Sequence, residues 1–589
     1  MTGLVTESRT GSGALAIIRG ALWQRKSVFV SAIIATATVN LLALATSLFS
    51  MQVYDRVIPR SGFDTLWVLT VGVIIALLFD FALRTARALL IEREAARIDA
   101  EVSQVFFDRM QGVRLDARPA GVGTIAAQLR GWEQVRALFS SASIFLLADL
   151  PFAVVFIIAI AWLGGIIAVV PLLALPLAFG LAFVFAALIR ADAERAQLNG
   201  NRRNGLLVET LDAAEMVKAA NGRAELEARW HRLNAELIGH EEPIKRWSSI
   251  ATSVFATMQQ LTYVLVVAWG AVEVSQGAMT MGALIACTIL AGRVNGPLIA
   301  QLPGFLIQWS YSRSALRALD ALLDLPQDAG ETDQPLTPAR IEPSYRIEKL
   351  RFAYPGAGEE GLDIARLTIA PGERVALIGG IGAGKSTLLK VLAGLYAPTS
   401  GSARIGGLDI QQIAPDALRG AVGYLSQDTR LLDGTLRENL QLGLGQQADE
   451  TLLGALKAVG LDPMLAAHPR GIDLPISEGG RGLSGGQRML ASLARMLVLD
   501  PEVWLLDEPT ANLDQLSEAR ILSELARRVT GERTLVFATH RLRNLALSTR
   551  VIVLHDGKVA LDGPTDEILK KLAEQAQAAP KSASVTVGA

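Results

Sequence analysis

The sequence predicts a polytopic α-helical membrane domain of six helices followed by an α/β domain with a phosphate-binding loop (P-loop). Six long apolar runs fill residues 27–308, and residues 374–390 read as strand, glycine-rich loop and helix start. Hydrophobic residues make up 51% of the 589-residue chain and charged residues 19%, too apolar for an ordinary soluble protein. The excess lies in residues 1–320, whereas 341–575 read as a soluble α/β domain.

A membrane helix needs about 20 largely apolar residues. The runs lie at about 27–50, 63–83, 143–163, 166–189, 250–272 and 279–308. The first is too long for a signal-peptide core and no small-residue cleavage site follows a short one, so it reads as a membrane helix. Runs three and four are split only by "LGG", and runs five and six by "EVSQGAMT", which holds no Lys or Arg. Arg19, Arg25 and Lys26 precede run one, and segments 84–140 and 190–250 are rich in basic residues. By the positive-inside rule both termini and both long segments are cytoplasmic. The outside then receives turns at 51–62, around Gly164–Gly165, and at 273–280. The first turn, "MQVYDRVIPRSG", carries Asp55, Arg56 and Arg60. A charge at the bilayer centre costs about 2.5–3.5 kcal/mol on insertion scales. The expectation is that Pro59 and Gly62 break the helices there and the three charges reach water. Asp80, Asp149 and Arg293 remain inside the runs, nearer their cytoplasmic ends. Two readings stay open for them: snorkelling or an Asp–Arg pair within the bundle, and the lining of a water-filled substrate path.

Net charge −1 gives no case for nucleic acid as a partner. The single cysteine, Cys287, excludes an intramolecular disulfide and a Cys-based metal site. The expected organisation is an N-terminal cytoplasmic segment (1–26), a transmembrane domain with two long cytoplasmic extensions (27–320), a linker rich in Pro, Asp and Thr (321–342), a nucleotide-binding domain (343–575) and a disordered tail (576–589).

"RVALIGGIGAGKSTLLK" matches G-x-x-x-x-G-K-[ST] through Gly379, Gly384, Lys385 and Ser386. Backbone N–H groups of Gly380, Ile381, Gly382, Ala383 and Gly384 can curl around phosphate oxygens, and the following helix, with Thr387, adds its partial positive charge. Lys385 supplies a cation for the terminal phosphates and Ser386 a hydroxyl for Mg²⁺. "EVWLLDEPTANLD" ends an apolar strand with Asp507, suited to hold Mg²⁺, and Glu508, suited to polarise an attacking water. "RGLSGGQR" is a serine–glycine turn leading into a helix.

Together these motifs resemble the ATP-binding cassette (ABC) transporters over about residues 25–575. The resemblance implies that Tyr354, in "FAYPG", stacks on adenine, and that Gln427, in "YLSQD", senses Mg²⁺ and contacts the membrane domain. It implies that Ser484, Gly485, Gly486 and Gln487 form the signature acting in trans, that Asp514 lies at the dimer seam, and that His540 is the switch histidine near the terminal phosphate. His231, His240, His468 and His555 lack such support. One loop and one signature per chain imply a half-transporter that works as a homodimer with two composite ATP sites. Contact helices are expected near 119–128 and 210–221. Ala383 stands where the family commonly has Ser, which should leave the backbone cradle intact.

Within the family, "SLFSMQVYDRVIPRSGFDTLWVL", "LFDFALRTAR", "LLADLPFAVVF" and "ISEGGRGLSGGQR" are similar to type I secretion ATPases. That similarity implies an inner-membrane ATPase/permease exporting an unfolded polypeptide from a Gram-negative cell, with a periplasmic adaptor and an outer-membrane channel as partners. Arg56 or Arg60 is a candidate adaptor contact. Some relatives carry a cysteine-protease-like domain before the first membrane helix, and the start of that helix near Ser27 sets the expectation of none here. The rival readings are a lipid or multidrug exporter with the same ATPase, and a nucleotide-gated channel or sensor, which the presence of both Glu508 and His540 argues against.

Overall fold

The structure, a computed structural model, describes residues 13–118, 131–138, 141–328, 335–356 and 360–578. It forms two compact units: Met1–Gln111 with Pro119–Leu325, and Gly112–Arg118 with Pro326–Ala589.

The first unit is helical: α1 (Ala14–Gln24), α2 (Lys26–Gln52), α3 (Phe63–Gln111), α4 (Gly131–Leu138), α5 (Ser141–Gly164), α6 (Val169–Asp212), α7 (Ala214–Ala219), α8 (Arg223–Ser275) and α9 (Met281–Leu323). Among the described residues, four helical stretches are long and apolar enough to cross a membrane: Lys26–Arg60, Phe63–Gln111, Pro151–Asp212 and Arg223–Ser275; Met281–Val294 is a shorter apolar helix. The third stretch holds two of the sequence runs, folded back where Gly165 takes φ +58°. The six runs thus fall on α2, α3, α5, α6, α8 and α9. None of the apolar part of α3 is buried, and Trp67, Phe79 and Phe81 all point outward, a surface suited to lipid. The interior packs Phe156, Ile160, Ile167, Phe255 and Leu290 around Cys287.

The base of this unit is stapled by polar contacts. Asp320 Oδ1 on α9 accepts from the Ala14 N–H at 2.6 Å and so caps α1, whose own N-cap residue, Gly13, has no side chain to do it. Arg25 pairs with Glu94 at 3.1 Å and Glu101 at 2.5 Å on α3. Ile17, Ile18, Phe106, Trp132 and Leu319 close an apolar cluster beside them. Asp80 accepts from Arg84 Nε at 2.7 Å one turn along α3, while Arg293 is exposed. The side chain of Asp149 lies outside the described residues, as does the contact segment expected at 119–128. The segment expected at 210–221 holds the end of α6 and the exposed short helix α7.

The turn at 51–62 departs from expectation. Pro59 does not break the helix. The chain continues from α2 through a π-helical turn, Val53–Val57, where the Ile58 N–H reaches back to Val53 O, into Ile58–Arg60, which holds Pro59. The break comes at Ser61, with φ +49°. Arg56 and Arg60 are exposed, but Asp55 is half-buried. Its Oδ1 accepts from the Gly282 N–H at 2.8 Å and its Oδ2 from the Thr280 hydroxyl at 2.6 Å. Asp55 therefore helps to cap α9 from another helix. A Cβ at Gly282 would lie 2.4 Å from Met51 O, so only glycine allows this approach.

The second unit holds two main sheets. The first, β2–β1–β4–β5, is antiparallel and contains β1 (Tyr345–Ala353), β2 (Glu360–Ile369), β4 (Ser400–Ile405) and β5 (Leu408–Asp409). The second has the order β12–β11–β3–β10–β9–β6, with β3 (Arg374–Gly379), β6 (Val422–Leu425), β9 (Val503–Asp507), β10 (Thr534–Ala538), β11 (Arg550–His555) and β12 (Lys558–Pro564). Its pairs are parallel except β11–β12. β7 (Gly434–Thr435) and β8 (Pro475–Ile476) form a small ladder. Every residue of β9 and β10 is buried, which is why "VWLLD" and "TLVFA" show no alternation. Gly112–Arg118 joins this unit: Val113 bridges Gln327, and the Arg114 and Asp328 N–H groups donate to Pro326 O and Gly112 O at 3.0 and 2.8 Å.

Loss of the Asp55 cap should loosen the start of α9. Asp55→Ala is expected to speed amide exchange at Gly282 by roughly 2- to 30-fold, the range of a lost helix cap. Arg56→Ala, an exposed neighbour, should leave it unchanged. Equal protection in both variants, read by hydrogen exchange with mass spectrometry, would refute the cap.

Candidate nucleotide site

In an open α/β sheet, side chains gather beyond the carboxyl ends of the parallel strands. Adjacent strands β3, β10 and β9 end at Gly379, Ala538 and Asp507, and their loops bring the P-loop, His540 and the Asp507–Glu508 pair together. Gly379 takes φ +154°, and a Cβ there would lie 2.3 Å from Leu554 O. Gly384, at φ +95°, opens α10 (Lys385–Leu392) and packs so closely that a Cβ would meet Leu362 at 2.8 Å. Both glycines are therefore required by backbone approach and not by turn propensity alone. Gly380, Ile381 and Gly382 are exposed at the rim, and Ala383 is buried beneath them. Lys385 Nζ bends back to donate to Gly379 O and Gly380 O, each at 2.9 Å.

Asp507 is 2% exposed. The Ser386 hydroxyl donates to its carboxylate, yet among the described residues Oδ1 has no partner. Burial holds its carboxyl above the usual aspartate range, against the opposing pull of Ser386, Lys385 and Lys390. An orphaned buried carboxylate oxygen beside a serine hydroxyl is an oxygen donor set that suits a hard divalent cation such as Mg²⁺. Tyr424, on β6, lies behind it; its buried hydroxyl has no partner among the described residues, and burial, then the Asp507 charge, pushes its pKa up. It was legible only as one aromatic within "YLSQD".

Glu508 follows β9 in the left-handed region, φ +52°, a strain of about 1–3 kcal/mol for a non-glycine residue. Its N–H donates to Ala538 O at 3.1 Å, and its Oε2 lies 2.6 Å from His540 Nδ1. Glu508 is buried and His540 is largely exposed. Tyr354 is half-exposed; its hydroxyl is 2.8 Å from Thr387 Oγ1, which ties the aromatic to α10. Phe352 and Tyr396 meet its ring edge-on at 5.1 and 5.9 Å. Gln427 is exposed just beyond β6.

The signature residues form a capping box. The Ser484 hydroxyl accepts from the Gln487 N–H at 3.2 Å, and Gln487 Oε1 accepts from the Ser484 N–H at 2.9 Å, opening α11 (Gly485–Leu499). A Cβ at Gly486 would meet Asn512 O at 2.9 Å, so this helix start packs on the loop after β9, and Gly485 lies beside it. Asp514 caps α12 (Gln515–Arg528): its Oδ1 accepts from the Leu516 and Ser517 N–H groups, each at 2.9 Å. Those bonds, led by Ser517, hold its carboxyl below the usual range. Among the described residues no hydrogen bond ties Ser484–Gln487 to the P-loop of the same chain. Of the other histidines, His240 faces Asp192 at 3.0 Å, His468 accepts from the Arg470 N–H at 3.2 Å and His555 lies beside Asp556 at 3.6 Å.

Residues 362–511 match the family model of the ABC transporter, and residues 29–298 that of the ABC transporter transmembrane region. The chain is 28% identical over 547 residues to the alpha-hemolysin translocation ATP-binding protein HlyB of Escherichia coli O157:H7, covering 93% of this chain and 77% of that one. It is 29% identical over 552 residues to the cyclolysin secretion/processing ATP-binding protein CyaB of Bordetella pertussis, with the same coverage. Among solved structures, a bacterial Atm1-family ABC exporter with ATP bound superposes with TM-score 0.84 at 23% identity, over 95% of this chain and 99% of that one, which shows the fold. The chain belongs to the ABC transporters: it is a multi-pass membrane protein whose nucleotide-binding domain binds ATP and hydrolyses it to drive transport.

Proposed function

We propose that this chain is the inner-membrane ATPase/permease of a type I protein secretion system, with both termini cytoplasmic, exporting an unfolded polypeptide. The observation that carries this reading is similarity across 92–93% of the chain to toxin translocation ATP-binding proteins. Two copies form a homodimer, and a periplasmic adaptor and an outer-membrane channel complete the path. The domain limits proposed are those set out from the sequence, with residues 1–26 and the 576–589 tail flanking the two main domains.

The site supports the following roles. Tyr354 holds the adenine. Backbone N–H groups of Gly379–Thr387 cradle the phosphates, and Lys385 exchanges its loop carbonyls for phosphate oxygens. Ser386, Asp507 and Gln427 hold Mg²⁺, which, when bound, neutralises charge on the phosphates. Glu508 accepts a proton from the attacking water, and His540, in contact with Glu508, orients that carboxylate toward the terminal phosphate. Ser484, Gly485, Gly486 and Gln487 close the site of the other copy: the start of α11 presents N–H groups and a helix N-terminus to an anion. Asp514, as the cap of α12, shapes the seam between copies.

Three measurements test this reading. A Glu508→Gln protein in liposomes should bind ATP normally and lose roughly 10²- to 10⁴-fold in turnover, the range for removal of a general base. Near-wild-type turnover would overturn the role of Glu508. Substrate-dependent capture of an adaptor should accompany ATPase activity; stimulation by small amphiphiles without adaptor binding would replace the secretion reading with a lipid or drug exporter.

The third concerns Asp507. Its raised pKa means that the unfolded chain releases the proton first, so stability falls as pH rises from the ordinary aspartate value through the raised one. The deficit persists at neutral pH. Asp507→Asn should therefore raise the nucleotide-free, Mg²⁺-free melting temperature at neutral pH, with the gain vanishing in acid. Excess Mg²⁺ should stabilise the wild type alone. A variant less stable than wild type at neutral pH would contradict this.

A further inference from the structure

Behind the Glu508–His540 contact lies a closed ring of polar side chains. The Thr510 hydroxyl donates to Glu518 Oε1 at 3.0 Å. Asn544 Nδ2 donates to Thr510 Oγ1 at 2.9 Å and to Thr539 Oγ1 at 3.0 Å. The Arg541 N–H donates to Thr539 Oγ1 at 3.0 Å, and the Arg541 guanidinium returns to Glu518 Oε1 at 3.1 Å. The same guanidinium donates to Ala511 O at 2.9 Å. Thr510, Thr539, Asn544 and Glu518 are all at least 95% buried.

The direction of these bonds is fixed by chemistry. A carboxylate only accepts, so Thr510 spends its proton on Glu518 and must accept from Asn544. That places the amide nitrogen of Asn544, with its two donors, toward both threonines. The ring joins the loop after β9 (Thr510, Ala511), α12 (Glu518), the loop after β10 (Thr539, Arg541) and the turn that follows (Asn544). Glu508 lies two residues before Thr510, and His540 lies between Thr539 and Arg541. The two loops that carry the reacting pair are therefore bolted to each other behind it.

We propose that Asn544, Thr510 and Thr539 are positioning residues for ATP hydrolysis, setting the separation of Glu508 and His540. None of them reaches the pair directly. The proposal rests on the roles assigned above to Glu508 and His540. Glu508 needs such support because its backbone is strained and its histidine partner is largely exposed. Neither feature would hold a 2.6 Å contact by itself.

The test uses the full chain in liposomes. Thr510→Val and Thr539→Val keep shape and remove the hydroxyl, leaving a buried amide donor unmatched. Each should lower kcat roughly tenfold or more, with KM for ATP within about twofold of wild type. Thr510→Ser and Thr539→Ser should recover most of kcat. Asn544→Ala should behave like the valine variants, and on top of His540→Ala it should add less than about twofold, because the group it positions is gone. Wild-type kcat in the valine variants would overturn the proposal. So would a full independent loss from Asn544→Ala in the His540→Ala background, or equal losses in kcat and nucleotide affinity, which mark a general structural role. Failure of the underlying reading looks different: Glu508→Gln or His540→Ala would itself retain turnover.

Discussion

A carboxylate taken out of water must be met by a cation or by donors, and Asp507 is met only in part. Burying such a group costs several kcal/mol unless it is paired. β9 cannot relieve the cost by moving, because it is clamped between β10 and β6 and all five of its residues are buried. Lys385 does not relieve it by direct contact, since its ammonium is engaged by Gly379 O and Gly380 O. The rigid strand, the tight glycines and the bent-back lysine together preserve an unmet demand for positive charge at one point. That demand suits the site to the phosphate and metal proposed for it rather than to a packed core.

The same rule shapes the membrane unit in reverse. Helices in lipid gain little from apolar contact with one another, so polar groups do the stapling. Asp55 on the turn after α2 reaches α9, and Asp320 at the far end of α9 reaches α1. Both carboxylates satisfy backbone N–H groups at helix starts, where four donors lack intrahelical partners. Arg87, buried on α3, donates to Thr36 Oγ1 on α2 at 2.6 Å in the same manner. Each contact is local, and each lets a long apolar helix hold a fixed register against its neighbour.

What was legible in the sequence was chemistry carried by contiguous residues. The P-loop, the Asp507–Glu508 pair and the Ser484–Gln487 turn are each short, and their spacing dictates backbone geometry directly. The six membrane runs were legible for a similar reason: lipid demands length and apolarity and little else. Pro59 misled because proline need not end a helix: the chain stays helical around it, with a π-helical turn just before. The return of Gly112–Arg118 to the second unit left no trace, since a single backbone bridge carries no side-chain signature. The Thr510–Asn544 ring was invisible for a further reason. Its members are ordinary polar residues scattered over more than thirty positions, and only adjacency of β9 and β10 brings them together.

That adjacency also explains why one fold can join hydrolysis to assembly. Parallel neighbours send their following loops out on the same side, so the loops after β9 and β10 must touch. The loop after β9 carries Glu508 at one end and Asp514 at the other, with Thr510 and Ala511 held by the ring between them. Gly486 of the signature packs on Asn512 of this same loop. A shift imposed on Asp514 or on the signature by a second copy would act on a segment already tied to the Glu508–His540 contact. Because that segment is fixed by buried hydrogen bonds with no slack, it would move as a unit or not at all. In the proposed dimer, a partner pressing on this loop would thereby reach the Glu508–His540 contact that the ring positions.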